Sequence, residues 1–108
     1  MLNNPFNQKI YSLLKKVPKG KVTTYKLLAE ALGTKAYRAV GQAMMSNPYA
    51  PIVPCHRVVK SDGSIGGFAG SLNPNSEEVK RKIRILRKEG IEVKSNRIVE
   101  FEKVLFRF

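Results

Sequence analysis

The 108-residue sequence carries 20 Lys and Arg against 8 Asp and Glu, a formal net charge of +12, with a single cysteine and a single histidine. That length suits one domain with a modest core. One cysteine excludes an internal disulfide framework, one Cys with one His cannot complete a structural zinc site, and no apolar run approaches the roughly 20 residues of a membrane span. A cytoplasmic, monomeric protein without metal, cofactor or membrane contact is therefore expected. Its charge excess points to a polyanion, nucleic acid ahead of an anionic surface.

Asn4 and Pro5 predict the start of a first helix, Asn4 as cap and Pro5 at the first helical position, where a missing N–H costs nothing. Phe6, Ile10, Leu13, Leu14 and Val17 recur at helical spacing and form a core stripe. Pro18-Lys19-Gly20-Lys21 ends it in a basic turn. Thr24 is placed to cap a second helix over Tyr25–Leu32, with Leu28, Ala29 and Leu32 inward and Gly33 closing it. After Gly33-Thr34-Lys35, the run from Ala36 to Ser46 predicts a third helix, so the two form a helix-turn-helix pattern. Small residues, among them Ala36, Ala39 and Gly41, allow close approach of a ligand backbone, and Arg38 is the one cation on that stretch.

Asn47 to Val53 is too proline-rich for regular structure and leads stiffly to Pro54-Cys55-His56-Arg57-Val58-Val59. Beyond the turn at Ser61-Asp62-Gly63, the glycine-rich run Gly66-Gly67-Phe68-Ala69-Gly70 can wrap closely around a small planar ligand, or serve as a plain flexible loop. It lacks the spacing of a phosphate-binding loop. Asn75 is expected to cap a fourth, strongly basic helix, with Glu78 at its third position and Val79, Ile83 and Leu86 as its core stripe. Lys80, Arg81, Lys82, Arg84, Arg87 and Lys88 make up its cationic surface, and Glu89 stands against the helix dipole at its end. Ile91-Glu92-Val93 and Arg97 to Phe101 predict a hairpin around Lys94-Ser95-Asn96, after which Val104, Leu105, Phe106 and Phe108 pack onto the core. The expected fold is mainly α, a winged-helix-like helix-turn-helix domain with a small C-terminal β-hairpin.

A lone cysteine is usually a small buried residue, but Cys55 lies among turn-formers beside a potential base. In an extended chain, adjacent side chains point to opposite faces, so His56 is not expected to touch Cys55 directly. Either a water links them, or a turn at Pro54 bends the histidine back. A carboxylate is then needed to orient the imidazole, because an unperturbed thiol is only a few per cent thiolate at neutral pH.

The Pro54–Val59 run resembles the active-site motif of O6-alkylguanine-DNA alkyltransferases, with Thr24-Tyr25, Arg38-Ala39-Val40-Gly41, Asn47-Pro48 and the Gly66–Gly70 loop in matching order. The resemblance spans Phe6 to Gly90. It implies a protein that moves a methyl or larger alkyl group from O6 of guanine, with O4 of thymine as a second position, onto its own cysteine, once per molecule. On that likeness Cys55 is the acceptor, His56 the base acting through water, and Glu89 the group that orients His56. Asn47 braces the turn, Tyr25 helps rotate the nucleotide and bonds the guanine N3 edge, and carbonyls of Cys55 and Val58 accept from the guanine amino group. The Ala69 amide, on the loop ending at Gly70, bonds O6; Ala69 stands where the family commonly has serine. Arg38 fills the vacated stack from a helix in the minor groove of double-stranded DNA, beside Ala36, Ala39 and Gly41, and Arg57 is structural or faces phosphate. The family's usual N-terminal domain is expected to be absent. Two alternatives stay open: an alkyltransferase-like lesion sensor without transfer, whose relatives often carry Trp in place of the cysteine, and a helix-turn-helix regulator. A regulator reads bases from polar side chains, which Ala36 to Met45 largely lacks.

Overall fold

A computed structural model describes residues 5–50 and 52–108. Asn4, the expected first cap, and Pro51 lie outside them. Helix α1 runs Pro5–Leu14 and buries Ile10 and Leu14 of the predicted stripe together with Asn7 and Tyr11, while Phe6 and Leu13 are only partly buried and Val17 is buried just beyond the helix. Helix α2 spans Tyr25–Ala31, where Thr24 Oγ1 accepts the Leu27 amide at 3.0 Å, a cap worth about 1 kcal/mol. Helix α3 spans Tyr37–Met45, with Ala36 and Ser46 as flanking caps rather than helical residues. These three helices share one core, and the Tyr11 hydroxyl donates to the Ala43 carbonyl at 2.9 Å, tying α1 to α3.

A second core forms around helix α4, Glu77–Lys88. Its cap is Ser76, whose hydroxyl accepts the Val79 amide at 3.2 Å; the expected cap, Asn75, lies one residue too early, and Glu78 falls at the second helical position. The hairpin pairs Val93–Lys94 (β3) with Arg97–Ile98 (β4), and its turn residues Ser95 and Asn96 have φ of 50° and 63°. The expected strand up to Phe101 is shorter, because left-handed Glu100 redirects the chain into a one-turn helix α5, Phe101–Val104. The chain end returns to the core: the Val22 amide donates to Val104, and the Phe106 amide to Val22, at 2.9 and 2.6 Å. Phe106 packs against the first core, whereas Phe108 stays 41% exposed against the Phe106 ring.

Between the two cores lies a parallel pair of two-residue strands, Thr23–Thr24 (β1) and Val58–Val59 (β2). Alternation along β2 sends Val58 into the helical core and Val59 into the α4 core. The Cys55-His56-Arg57 segment immediately precedes this seam. It forms one 3₁₀ turn rather than extended chain, held by the Arg57 amide on Pro54 and the Val58 amide on Cys55. The architecture is mainly α with a helix-turn-helix and a small hairpin, as expected.

Candidate active site

Pro54, Asn47 and the 3₁₀ turn fix where the cysteine stands. Asn47 Nδ2 donates to the Val53 carbonyl at 2.8 Å and its Oδ1 accepts the Tyr49 amide at 2.9 Å, so one side chain closes the irregular approach to Cys55. Cys55 is half-buried, packed on one side against the helical core and open on the other to a cavity of about 930 Å³. With about three residues per turn, neighbouring side chains in a 3₁₀ segment diverge, so Cys55 faces the cavity while His56 turns inward, 4% exposed.

His56 Nε2 lies 3.0 Å from Glu89 Oε2. Glu89, the C-cap of α4, also takes both prongs of Arg57, Nε to Oε1 at 2.9 Å and Nη2 to Oε2 at 2.7 Å. Burial alone would raise the Glu89 carboxyl, but hydrogen bonds from Arg57 and His56 hold it below the usual carboxylate range. Burial lowers His56 from the usual histidine value; Glu89 opposes that, and the charges of Arg57 and Lys82 add to it. The ring is thus neutral at pH 7. Its Nε2–H donates to the carboxylate, leaving the Nδ1 lone pair to take a proton. The carboxylate that looked stranded against the helix dipole has three N–H donors.

Arg57, expected to be structural or phosphate-facing, is turned inward: besides Glu89, its Nη1 donates to the Val17 carbonyl at 2.9 Å, joining the end of α4 to the turn that follows α1. The Val58 side chain is fully buried in β2, and its carbonyl, the acceptor named in the sequence, takes one hydrogen bond from Lys82 Nζ at 2.7 Å. Lys82 is the residue that sequence reasoning missed, counted among the surface cations although only 1% exposed. Its ammonium also reaches the Ile65 and Gly67 carbonyls at 2.6 and 3.1 Å, pinning the strand after Cys55 to the glycine-rich loop. Burial pulls its pKa down to about 7, while the three carbonyls favour the three-donor ammonium. The signal was its position: Val79, Lys82 and Leu86 share one helical face.

The cavity lies between α3 and the glycine-rich loop. Arg38, Gly41, Met44 and Met45 line it from the helix, Phe68, Ala69 and Gly70 from the loop, and Tyr25 from α2. Ala36 and Ala39 are absent from its lining; Ala36 is exposed at the α3 start and Ala39 half-buried. Burial, and next the nearby Cys55, push the Tyr25 phenol up to about 12, so it is a hydrogen-bond donor throughout the neutral range. The loop folds as a tight two-residue hairpin turn, with Phe68 and Ser71 exchanging backbone bonds at 2.9 Å and Ala69 and Gly70 at φ of 52° and 85°. At Gly67 a Cβ would meet the Ser71 carbonyl at 2.6 Å, so only glycine lets the turn fold back this closely. The Arg81 guanidinium lies 5.5 Å over the Phe68 ring and supports that wall from α4.

Residues 5–91 match the family model described as 6-O-methylguanine DNA methyltransferase, DNA binding domain. A methylated-DNA–protein-cysteine methyltransferase of Pyrobaculum aerophilum is 55% identical over 67 residues, 62% of this chain and 41% of that protein. The crystal structure of O6-methylguanine-DNA methyltransferase from Pyrococcus kodakaraensis superposes with a TM-score of 0.69 at 44% identity, over 82% of this chain and 48% of that one. Schizosaccharomyces pombe Atl1, solved with damaged DNA containing O6-carboxymethylguanine, gives a TM-score of 0.75 at 30% identity and covers 95% of both chains. This chain thus spans less than half the length of the first two proteins. The match over most of its residues makes it a member of the 6-O-methylguanine DNA methyltransferase family, through that family's DNA-binding domain.

Proposed function

We propose that this chain repairs double-stranded DNA by moving an alkyl group from O6 of guanine to Sγ of Cys55. The observation that carries the proposal is a half-buried cysteine opening onto a cavity large enough to admit a base, directly ahead of a histidine whose other nitrogen is bound to a triply held carboxylate. In the reaction, the thiol proton passes to His56 Nδ1 through a bridging water. The sulfur attacks the alkyl carbon, the carbon–O6 bond breaks, and its electron pair leaves on guanine. The product is a thioether, which nothing in the reaction reverses, so each molecule acts once. The relay resembles a Ser-His-Asp triad with water inserted.

The lesion is stacked inside the duplex and is extruded into the cavity at a cost of a few kcal/mol. Arg38, exposed at the cavity rim on α3, fills the gap from the minor groove, and Gly41 lets the helix lie close to the sugar edge. Tyr25 donates to the purine N3 edge, and the Ala69 amide at the turn tip donates to O6. The apolar character of α3 favours this groove insertion over base readout. The 95% two-way coverage with Atl1 supports a second reading, lesion binding without transfer.

Intact-mass analysis after incubation with an O6-methylguanine duplex separates the two. Transfer adds one methyl group, mapped to Cys55 and absent from Cys55→Ser. Tight, lesion-selective binding with unchanged mass would sink the transfer reading and leave the sensor. Arg38→Ala should slow repair of duplex more than reaction with the free base.

A further inference from the structure

The hairpin β3–β4 lies beyond the residues that the family model matches, yet it forms part of the cavity wall. It is fastened to the turn after β2: the Ile65 amide donates to the Asn96 carbonyl at 3.1 Å, and the Ile98 amide to Gly63 at 2.8 Å, with Ser64 bridging antiparallel to Arg97. Across the same turn, the Lys60 amide donates to Ser64 at 3.0 Å. Lys60, Ser64 and Asn96 therefore sit on three chain segments lying side by side, and all three line the cavity.

Their chemistry differs from that of the α3 wall. The Ser64 hydroxyl is spent on Asp62 Oδ1 at 2.7 Å, and the Asp62 carboxylate is further engaged by Arg97 at 3.7 Å. The Asn96 side-chain amide makes no hydrogen bond among the described residues. Lys60 runs its stem along Gly66, where a Cβ would lie 3.3 Å from Lys60 Cγ and 3.7 Å from the Tyr25 ring. Two residues with side-chain donors, one cationic, thus line the cavity beside Tyr25, and the nearby Asp62 carboxylate pairs with Arg97. A cavity of about 930 Å³, at the upper end of the ~300–1,000 Å³ typical of ligand sites, has room for a base and a further group.

We infer that Asn96 and Lys60 form an anion-holding corner of the cavity, which makes the C-terminal hairpin a specificity element. The shared ligand chemistry is an anionic oxygen on the extruded nucleotide: either its own phosphodiester or a carboxylate carried by the O6 substituent. This inference rests on the lesion-binding reading above, but not on transfer.

The test measures dissociation constants by fluorescence anisotropy on an unreactive Cys55→Ser background, which keeps it independent of alkyl transfer. Asn96→Gly removes the amide and suits the φ of 63°, so the turn is preserved; Asn96→Asp keeps the shape but repels an anion. Three duplexes are compared: unmodified, O6-methylguanine and O6-carboxymethylguanine. Asn96→Gly should weaken lesion binding about tenfold, and Asn96→Asp more, with unmodified duplex unchanged. Equal loss on both lesions identifies the phosphodiester; loss confined to the carboxymethyl duplex identifies the substituent. A loss shared by unmodified duplex, or no loss on either lesion, overturns the inference. If the parent protein does not distinguish lesion from unmodified duplex, the lesion-binding reading itself fails and takes the inference with it.

Discussion

Replacing Glu89 by Gln isolates the carboxylate that His56 and Arg57 share. The substitution keeps the shape but puts an NH₂ where one of three N–H donors now points. Glu89 has a side-chain exposure of only 11%, so water cannot replace the lost acceptor. Hydrogen bonds to charged groups are worth ~1.5–3 kcal/mol each, and breaking a buried pair costs ~3–5 kcal/mol. A loss of about 3 kcal/mol follows, roughly 12–24 °C in Tm for a domain of this size. The chemical effect is larger, because the carboxylate also fixes which imidazole nitrogen carries the proton. The comparable Asp→Asn change in a serine protease lowers kcat by ~10⁴. Allowing for a water in the relay, we expect a fall of about 10²–10⁴ in the single-turnover transfer rate.

The pH profile gives a second, signed readout. Without the Glu89 charge, only lowering influences remain on His56: burial, Arg57 and Lys82. The acid limb, already below the usual histidine value of 6.5 in the parent, should move further down while the plateau drops. Quench-flow transfer from an O6-methylguanine duplex, run well below both melting transitions, measures both effects. An unchanged plateau with the acid limb in place would refute the role assigned to Glu89.

Lys82→Met removes the ammonium that pins three carbonyls and should destabilise by about 2–4 kcal/mol in denaturant melts. Because the folded pKa is depressed to about 7 against 10.5 unfolded, the penalty of burying the ammonium is in force below pH 7 and lifted above 10.5, so the gap between parent and variant should widen as pH rises across that window. A constant gap would contradict it. Thr23 Oγ1 is buried without a partner among the described residues, so Thr23→Val should raise stability by about 1 kcal/mol, seen as a higher Tm. Ala69→Gly relieves a left-handed alanine, stabilising by about 1 kcal/mol by calorimetry and leaving the turn-tip amide in place.

Helices α1 to α3 were legible because their apolar spacing, the Thr24 cap and Gly33 agree with one another. The cap of α4 was misplaced by one residue because Asn75 and Ser76 are both good caps, and only the hydroxyl reaching Val79 decides between them. Cys55, His56 and Glu89 could be named from motif and likeness, but their conformation could not: residues around Pro54 turn rather than extend, which depends on contacts with α4. Arg57, Lys82 and Asn96 were hidden for a common reason. Each is a polar residue whose partners or neighbours lie far away in sequence, and local pattern carries no information about such meetings.

The return of the chain end to Val22 bears on how the molecule is made. The Lys21 ammonium binds the Lys103 carbonyl across a separation of 82 residues, beside the backbone bonds that join Val22 to Val104 and Phe106. Closing so long a loop is entropically costly, and contacts of this range slow folding. During synthesis the three-helix part emerges first, with the strand that follows Cys55 still lacking α4, its lysine and its glutamate. Cys55 and His56 are therefore translated well before Glu89, and His56 meets that carboxylate only once α4 has packed against the turn.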